Sequence, residues 1–364
     1  MSFLKNIFGK KDEPIKSYSD FWSWFQKNEK DFLNVVKSRQ NIEKGFFDKL
    51  SPKLAELKDG YYYVTGMYDD NTVELVLTAD GTIKNIVFIE ELVEAAPKIE
   101  GWKFTALKPS LKIEDVTIKM GGIEFSSENL FFYSNELPNY PDEIDVCIIH
   151  NDITDDNRQQ IINGTYIFLD NYLGELDFVN NIDNLQVITK SEAKKELVPI
   201  DKLKDFLIWR QKEFVEKYEG VRYDTENDEY SIMEAELESG NMLLAVINTD
   251  LLEWDRQASH PWIAVMTLKY DGSKNNGMPN NSDYELLGSI EDEIMLSLKD
   301  KDGNLNIGRQ TANNERDIYF ACKDFRKASK VFYETQKKYG DKFEIEYDIY
   351  KDKYWQTLER FKQH

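Results

Sequence analysis

Cysteine and histidine are scarce in this chain of 364 residues, which has two cysteines and three histidines. Cys147 and Cys322 cannot build the disulfide framework of a small secreted domain, and each lies in an apolar run, so we expect buried reduced thiols. Cys147 and His150 have the spacing of half a zinc site. However, residues i and i+3 of a strand point to opposite faces, and no second Cys/His pair completes the ligand set.

Long apolar runs are also missing. No run approaches the about 18 residues that a bilayer-spanning helix needs, so we predict no membrane span. The first residues, MSFLKNIFGKK, have too short an apolar stretch for a secretory signal and no small-residue cleavage site. We therefore predict a cytoplasmic protein with a flexible tail over residues 1–16. In the alternative, a helical tail makes a weak membrane-surface contact through Phe3, Leu4, Ile7 and Phe8.

Positive charge is in short supply. The chain has 46 Lys and Arg residues against 67 Asp and Glu residues, a formal net charge of −21. Residues 1–221 carry 27 bases and 39 acids, and residues 222–364 carry 19 and 28, so neither half is basic. Because a polyanionic surface repels phosphate backbones, we predict no nucleic-acid partner and favour a basic protein partner.

The glycine-rich and nucleophile motifs of common enzyme classes are absent. The chain has no Gly-x-Gly-x-x-Gly, no P-loop and no Gly-x-Ser-x-Gly. The segment from Asp300 to Asn304 lacks the glycine position and the final Glu of a calcium loop. We therefore predict no catalytic residue, no metal and no cofactor, and favour a protein that is not an enzyme. One alternative stays open, a carboxylate-based hydrolase, with or without a metal, that has its site between two domains.

What the chain does contain is enough apolar material, 41% of its residues, for two or more packed domains. Residues 223–240 hold seven acidic residues and no basic one, a composition typical of an exposed connector. We therefore predict an N-terminal α+β domain, with one or two subdomains, over residues 17–220. An acidic linker is predicted over residues 221–240 and a second domain over residues 241–364.

The first domain is predicted to combine helices with an antiparallel meander. Ser17 and Asp20 begin a helix that carries an aromatic patch, and turn residues separate the apolar runs of three consecutive predicted strands. These strands cover residues 61–65, 73–78 and 82–89. Further strands are predicted at residues 102–107, 116–120, 123–125, 130–133 and 144–150, and helices at residues 46–57, 90–96, 154–170 and 201–218.

The last third has the clearest pattern. One amphipathic helix begins at the capping box Ser282-x-x-Glu285, and a second covers residues 325–339. From Trp262 onward the predicted order is β-α-β-β-α-β, which is typical of a ferredoxin-like domain. RNA-recognition domains share this order, but their basic, glycine-containing strand is absent and the net charge opposes RNA binding.

A pattern of residues in this region is found in a known family: Trp262, Gly308-Arg309-x-Thr311, Arg316-x-x-Tyr319 and a closing Asp352-x-x-Trp355. Through these residues, the segment 240–362 resembles the domain-of-unknown-function family numbered 695. The C-terminal part is also similar to the family of the regulator of ribonuclease activity B. The resemblance implies a ferredoxin-like fold and action by binding a protein, with no catalysis to carry over. Residues 1–220 resemble an upstream region that accompanies this domain in bacterial proteins.

The candidate binding residues are Trp262, Arg309, Thr311, Arg316 and Tyr319. Arg309 and Arg316 are predicted on neighbouring strands, where two guanidinium groups suit a carboxylate or a phosphate. The alternative, which we favour, is a structural ion pair with one of the many acids. We expect a non-enzymatic protein-binding or regulatory module that engages a basic partner, as a nuclease regulator or an immunity protein does.

Overall fold

A computed structural model describes residues 14–362 of the chain. They form two compact units, which are residues 14–110 with Gly174–Leu176, and residues 111–173 with 177–362. The structure confirms the mixed α+β class, with helices and several antiparallel sheets. No helix between residues 14 and 362 is both long enough and apolar enough to cross a bilayer.

Most of the predicted tail, residues 1–13, lies outside the described residues, and so does His364. Ile15 is buried, and its amide N–H donates a hydrogen bond of 2.6 Å to the Glu56 carboxylate. The chain is therefore fixed to the first unit from Ile15 onward.

The first unit packs helices against a three-stranded sheet. Its elements are α1 (Tyr18–Ser38), α2 (Asp48–Leu57), β1 (Tyr62–Met67), β2 (Val73–Thr78), α3 (Ile83–Glu94) and β3 (Trp102–Ala106), with a π-helical turn at Glu43–Phe47. The central strand β2 is antiparallel to β1 and parallel to β3. The predicted aromatic patch of α1 is core: Phe25 is fully buried, and its ring meets that of Trp102 edge to face at 5.0 Å.

The prediction of a third meander strand at residues 82–89 is wrong, because these residues lie almost entirely in α3. This helix buries four consecutive apolar residues, Ile86–Ile89, so its sequence shows a continuous apolar run rather than an amphipathic stripe. Such a run fits a buried strand and a buried helix equally well. The third strand of the sheet is β3, and α3 supplies the crossover that a parallel neighbour of β2 requires.

The first part of the second unit is built on a four-stranded sheet in the order β8-β7-β6-β9. Its elements are β4 (Ile118–Met120), β5 (Ile123–Phe125), β6 (Leu130–Asn135), β7 (Asp145–His150), α4 (Arg158–Leu173), β8 (Asn184–Ile188), β9 (Val198–Pro199) and α6 (Leu203–Tyr218). Helix α5 (Glu175–Asn181) has its first two residues in the first unit and the rest in the second. Strands β4 and β5 form a separate hairpin. One core joins Ile148 of β7 to Phe168 of α4 and Leu207 of α6.

The last part of the second unit is a six-stranded antiparallel sheet in the order β10-β11-β13-β14-β12-β15. Its elements are β10 (Tyr230–Glu236), β11 (Met242–Asn248), α7 (Thr249–Leu252), β12 (Trp262–Lys269), α8 (Asn281–Ser297), β13 (Asn304–Ala312), β14 (Glu315–Cys322), α9 (Phe325–Tyr339) and β15 (Glu344–Lys351). Short 3₁₀ helices of this unit lie at Ile113–Asp115, Ile200–Lys202, Gln257–Ser259, Asp300–Asp302 and Gln356–Phe361. Helices α8 and α9 lie on one face of the sheet, and the Gln356–Phe361 turn packs on the other.

Helix α8 begins earlier than the predicted capping box. Asn280 is the N-cap residue, and its Oδ1 accepts the Asp283 N–H at 3.0 Å. Ser282 is already helical and donates its hydroxyl to Asn280 at 2.7 Å. Asparagine and serine are both strong N-cap residues, so the sequence alone did not distinguish between them.

The predicted acidic linker contains a strand, since Tyr230–Glu236 forms β10 and pairs along its whole length with β11. The composition did not reveal this strand, because an edge strand buries little apolar surface and can therefore be as acidic as a linker. The predicted domain boundaries at residues 220 and 240 both fall within the second unit. Separate folding of residues 17–220 and 241–364 stays a prediction.

Candidate functional site

A bulge in β13 decides which residues face α8. The register with β14 shifts between Asn306 and Gly308, so Arg309 and Thr311 lie on the same face as Arg316. Gly308 has φ +129°, and a Cβ there would lie 2.1 Å from the carbonyl oxygen of Val246. Only glycine fits this position without moving the neighbouring strand β11.

Arg309 is paired with an acid that the sequence analysis did not identify. Its Nη1 lies 3.0 Å from Oε2 of Glu291 on α8, and the Glu291 side chain is almost fully buried. Burial raises the pKa of Glu291 above its usual value, while Arg309 and Arg316 act in the opposite direction. Glu291 directly follows Ile290 of the predicted apolar stripe, and this position next to the buried helix face was the sequence signal that could have identified it.

Arg316 is only 2% exposed. Its Nε donates to Thr311 Oγ1 at 3.0 Å, and its guanidinium carbon lies 5.3 Å from the centre of the Tyr284 ring. Among residues 14–362 no acidic side chain lies within ion-pair distance of it. Burial, followed by the charge of Arg309, lowers the pKa of Arg316.

The other two predicted binding residues lie elsewhere. Tyr319 is on the opposite face of β14, where it donates to Asp317 at 3.1 Å and accepts from Arg360 at 3.0 Å. Trp262 is buried against Phe325, with ring centres 4.9 Å apart. It lies at the far end of β12 from the residue that pairs with Arg316, about 20 Å along the strand. The structure therefore brings together Arg309, Thr311 and Arg316, but not Tyr319 or Trp262.

The edge of the six-stranded sheet that β10 forms is acidic. Strand β10 pairs with β11 on one side, and none of the strands described here pairs with its other side. Ile232 is 70% exposed and lies in one row with Val246 and Arg309 across the sheet. Glu234 and Glu236 share its face and form no ion pair within the part of the chain that the structure covers. The sequence analysis missed this edge because it assigned these residues to a linker.

The residues considered for metal binding have other partners. Cys147 and His150 are both buried in β7; Nε2 of His150 lies 2.9 Å from the Glu124 carbonyl, and Nδ1 accepts the Asp152 N–H at 3.0 Å. Asp300 accepts from the backbone and the hydroxyl of Thr225. In the described range 14–362, no group of three or more His, Cys, Asp or Glu side chains is placed to hold a metal ion.

No curated protein and no solved structure matches the chain. A family model covers about a third of the chain and confirms the first predicted resemblance. The matched segment contains Arg309, Thr311 and Arg316 but not β10. Residues 238–361 match the family of unknown function DUF695.

Proposed function

We propose that this protein is a non-enzymatic binding module that engages a basic protein along the acidic edge strand β10. The observation that carries the proposal is an edge of β10 that no strand within residues 14–362 covers. On it Glu234 and Glu236, which have no ion-pair partner in that range, share a face with the exposed side chain of Ile232. A free edge offers backbone donors and acceptors to an added strand, and its side chains select the partner.

The charge pattern of β10 defines the partner segment. In an added strand, alternate side chains lie on one face, so an apolar residue meets Ile232 and two basic residues meet Glu234 and Glu236. The partner is therefore an extended segment with lysine or arginine at alternate positions next to an apolar residue. Since these carboxylates are exposed, binding weakens as the salt concentration rises.

The architecture supports the same mode of action. Strands β12–β15 follow the chain order β-α-β-β-α-β and lie in the order β13-β14-β12-β15, which we interpret as a ferredoxin-like domain extended by β11 and β10. We further propose, from the sequence resemblance to the family of the regulator of ribonuclease activity B, that this protein is a cytoplasmic nuclease regulator or an immunity protein; the comparisons with known proteins do not test this resemblance. Net charge −21 argues against nucleic acid as the partner. No specific contact favours the carboxylate hydrolase, which stays a prediction.

Peptide titration tests the proposal. Isotope-labelled protein is titrated with the peptide Thr-Lys-Thr-Lys-Thr-Val-Thr at low and high salt, and with a second peptide that has glutamate in place of lysine. We expect only the lysine peptide to shift the amide signals of residues 230–236. Replacement of Glu234 and Glu236 by lysine abolishes the shift, whereas the same change at the exposed residues Asp31 and Glu43 leaves it intact.

Acidic side chains on an edge strand also prevent edge-to-edge pairing between copies of a protein. If that is their whole role, the variant with Glu234→Gln and Glu236→Gln self-associates, and no peptide shifts the signals of β10 in the unmodified protein. This result would contradict the proposed function.

A further inference from the structure

Three ionisable side chains, Arg309, Arg316 and Glu291, lie where α8 meets the sheet, and two of the three are basic. Arg309 and Glu291 form one ion pair at 3.0 Å, but Arg316 has no acid of its own among residues 14–362. Its single hydrogen-bond acceptor in that range is the Thr311 hydroxyl. The three ionised groups sum to one positive charge in a place where Arg316 is 2% exposed. Buried charges are ordinarily paired, because desolvation without a partner is costly.

Open space at Gly288 on α8, here called the recess, lies beside these groups. Tyr284, Gly288 and Glu291 occupy positions i, i+4 and i+7, so they share the helix face that meets the two arginines. A Cβ on Gly288 would meet no heavy atom within 4 Å. The recess therefore lies between the side chain next to Arg316 and the side chain paired with Arg309.

Two of the side chains around Arg316 are partly exposed to solvent. Tyr284 is 52% exposed, and the Arg309 side chain is 29% exposed. We therefore place the approach of a small solute to Arg316 between these two side chains.

The donors define the class of ligand. A guanidinium fork matches the two oxygens of a carboxylate, and the Nη groups of Arg316 have no acceptor among the described residues. A monoanion balances the single excess positive charge. A dianionic phosphate would leave one negative charge beside the buried carboxylate of Glu291, which electrostatic repulsion disfavours.

We infer that Arg316, Arg309 and Thr311 form a binding site for a small carboxylate anion in the recess beside Gly288. This site and the acidic edge of β10 have different ligands, since the site binds an anion and the edge binds a basic segment.

Arginine side-chain NMR of the whole protein tests the site with sodium acetate as the probe, against sodium chloride at equal ionic strength. We expect acetate to shift the Nε–H signal of Arg316 saturably. Arg316→Gln lowers the acetate affinity by about tenfold or more, since a charged hydrogen bond is lost. Gly288→Ala retains binding because the recess has room for one carbon, and Gly288→Phe fills the recess and abolishes binding while both arginines remain.

The pair of Gly288 variants keeps the test decisive if Arg316→Gln fails to fold. Three results would overturn the inference: no saturable shift with acetate, unchanged acetate binding in Gly288→Phe, or tighter binding of inorganic phosphate than of acetate. A shift seen with acetate and lost in Gly288→Phe supports it.

Discussion

Asp183 and Lys353 form a buried ion pair of 2.8 Å across 170 residues of sequence. The other carboxylate oxygen of Asp183 lies 2.7 Å from Lys351, so one acid serves two ammonium groups. Burial disfavours the charged form of Asp183, but the two lysines outweigh it and lower its pKa. The cluster links the turn before β8 to the end of β15, on opposite sides of the boundary predicted near residue 220.

Loss of this shared acid should strongly destabilise the protein. Asp183→Asn leaves two buried ammonium groups without their shared ion-pair partner, and we expect the free energy of unfolding to fall by about 3 kcal/mol in urea titrations near pH 7. Because the pKa of Asp183 is lowered, its contribution is complete above pH 3.8 and is lost as the pH falls through the folded-state pKa. The matched control is Asp341→Asn, since Asp341 and Lys342 form an exposed pair at 3.2 Å that contributes about 0–1 kcal/mol. Equal losses in both variants would contradict this prediction.

The Asp183 cluster marks the limit of what sequence patterns predict here. Apolar repeats and runs located α6, α9 and the strands β12–β15 of the C-terminal sheet, but not its edge strand β10. Long-range ion pairs leave no such repeat, and in a chain with 67 acidic residues any Asp or Glu was an equally good partner for a lysine or arginine.

The candidate site was predicted only in part for a related reason. Arg309, Thr311 and Arg316 were selected from the sequence, and the bulge at Gly308 brings them to one face. The position of the bulge depends on how closely Val246 approaches, which is a tertiary contact with no local pattern. Tyr319 lies three residues after Arg316 in β14, and residues an odd number of positions apart in a strand face opposite sides of the sheet.

His260 should make the stability depend on pH. Burial, followed by the charges of Lys323 and Arg222, lowers the pKa of His260 to about 3 from the usual 6.5. The unfolded chain takes up a proton near pH 6.5 while the folded protein does not, so the free energy of unfolding falls as the pH drops below 6.5. The slope from this group reaches about 1.4 kcal/mol per pH unit. Urea titrations of His260→Gln and the unmodified protein between pH 7 and 4 should differ by this slope, and parallel curves would show that His260 is not the cause.

Gly308 should be intolerant of any side chain. Its φ of +129° is unfavourable for other residues, and a Cβ would collide with the backbone of Val246 at 2.1 Å. We expect Gly308→Ala to cost at least about 2 kcal/mol by urea titration, since both the strained backbone and the clash contribute. Gly66 in the edge strand β1 is the control, because a Cβ there meets nothing within 4 Å and Gly66→Ala should be tolerated. A Gly308→Ala variant as stable as Gly66→Ala would mean that the bulge adapts without cost.

A double-mutant cycle should separate the structural role of Arg309 from the ligand-binding role inferred for Arg316. Glu291 is 4% exposed, so Arg309→Met leaves its carboxylate buried without its ion-pair partner. We expect a loss of about 3 kcal/mol at pH 7. Glu291→Gln in the same protein removes the orphaned charge, so the double variant should be more stable than Arg309→Met alone, and the two effects should not add. The exposed pair Lys338 and Glu293, at 2.7 Å, provides the control cycle, with an expected coupling below about 1 kcal/mol. If the effects of Arg309→Met and Glu291→Gln are additive in urea titrations, the pair does not stabilise the sheet, and Arg309 serves the anion site alone.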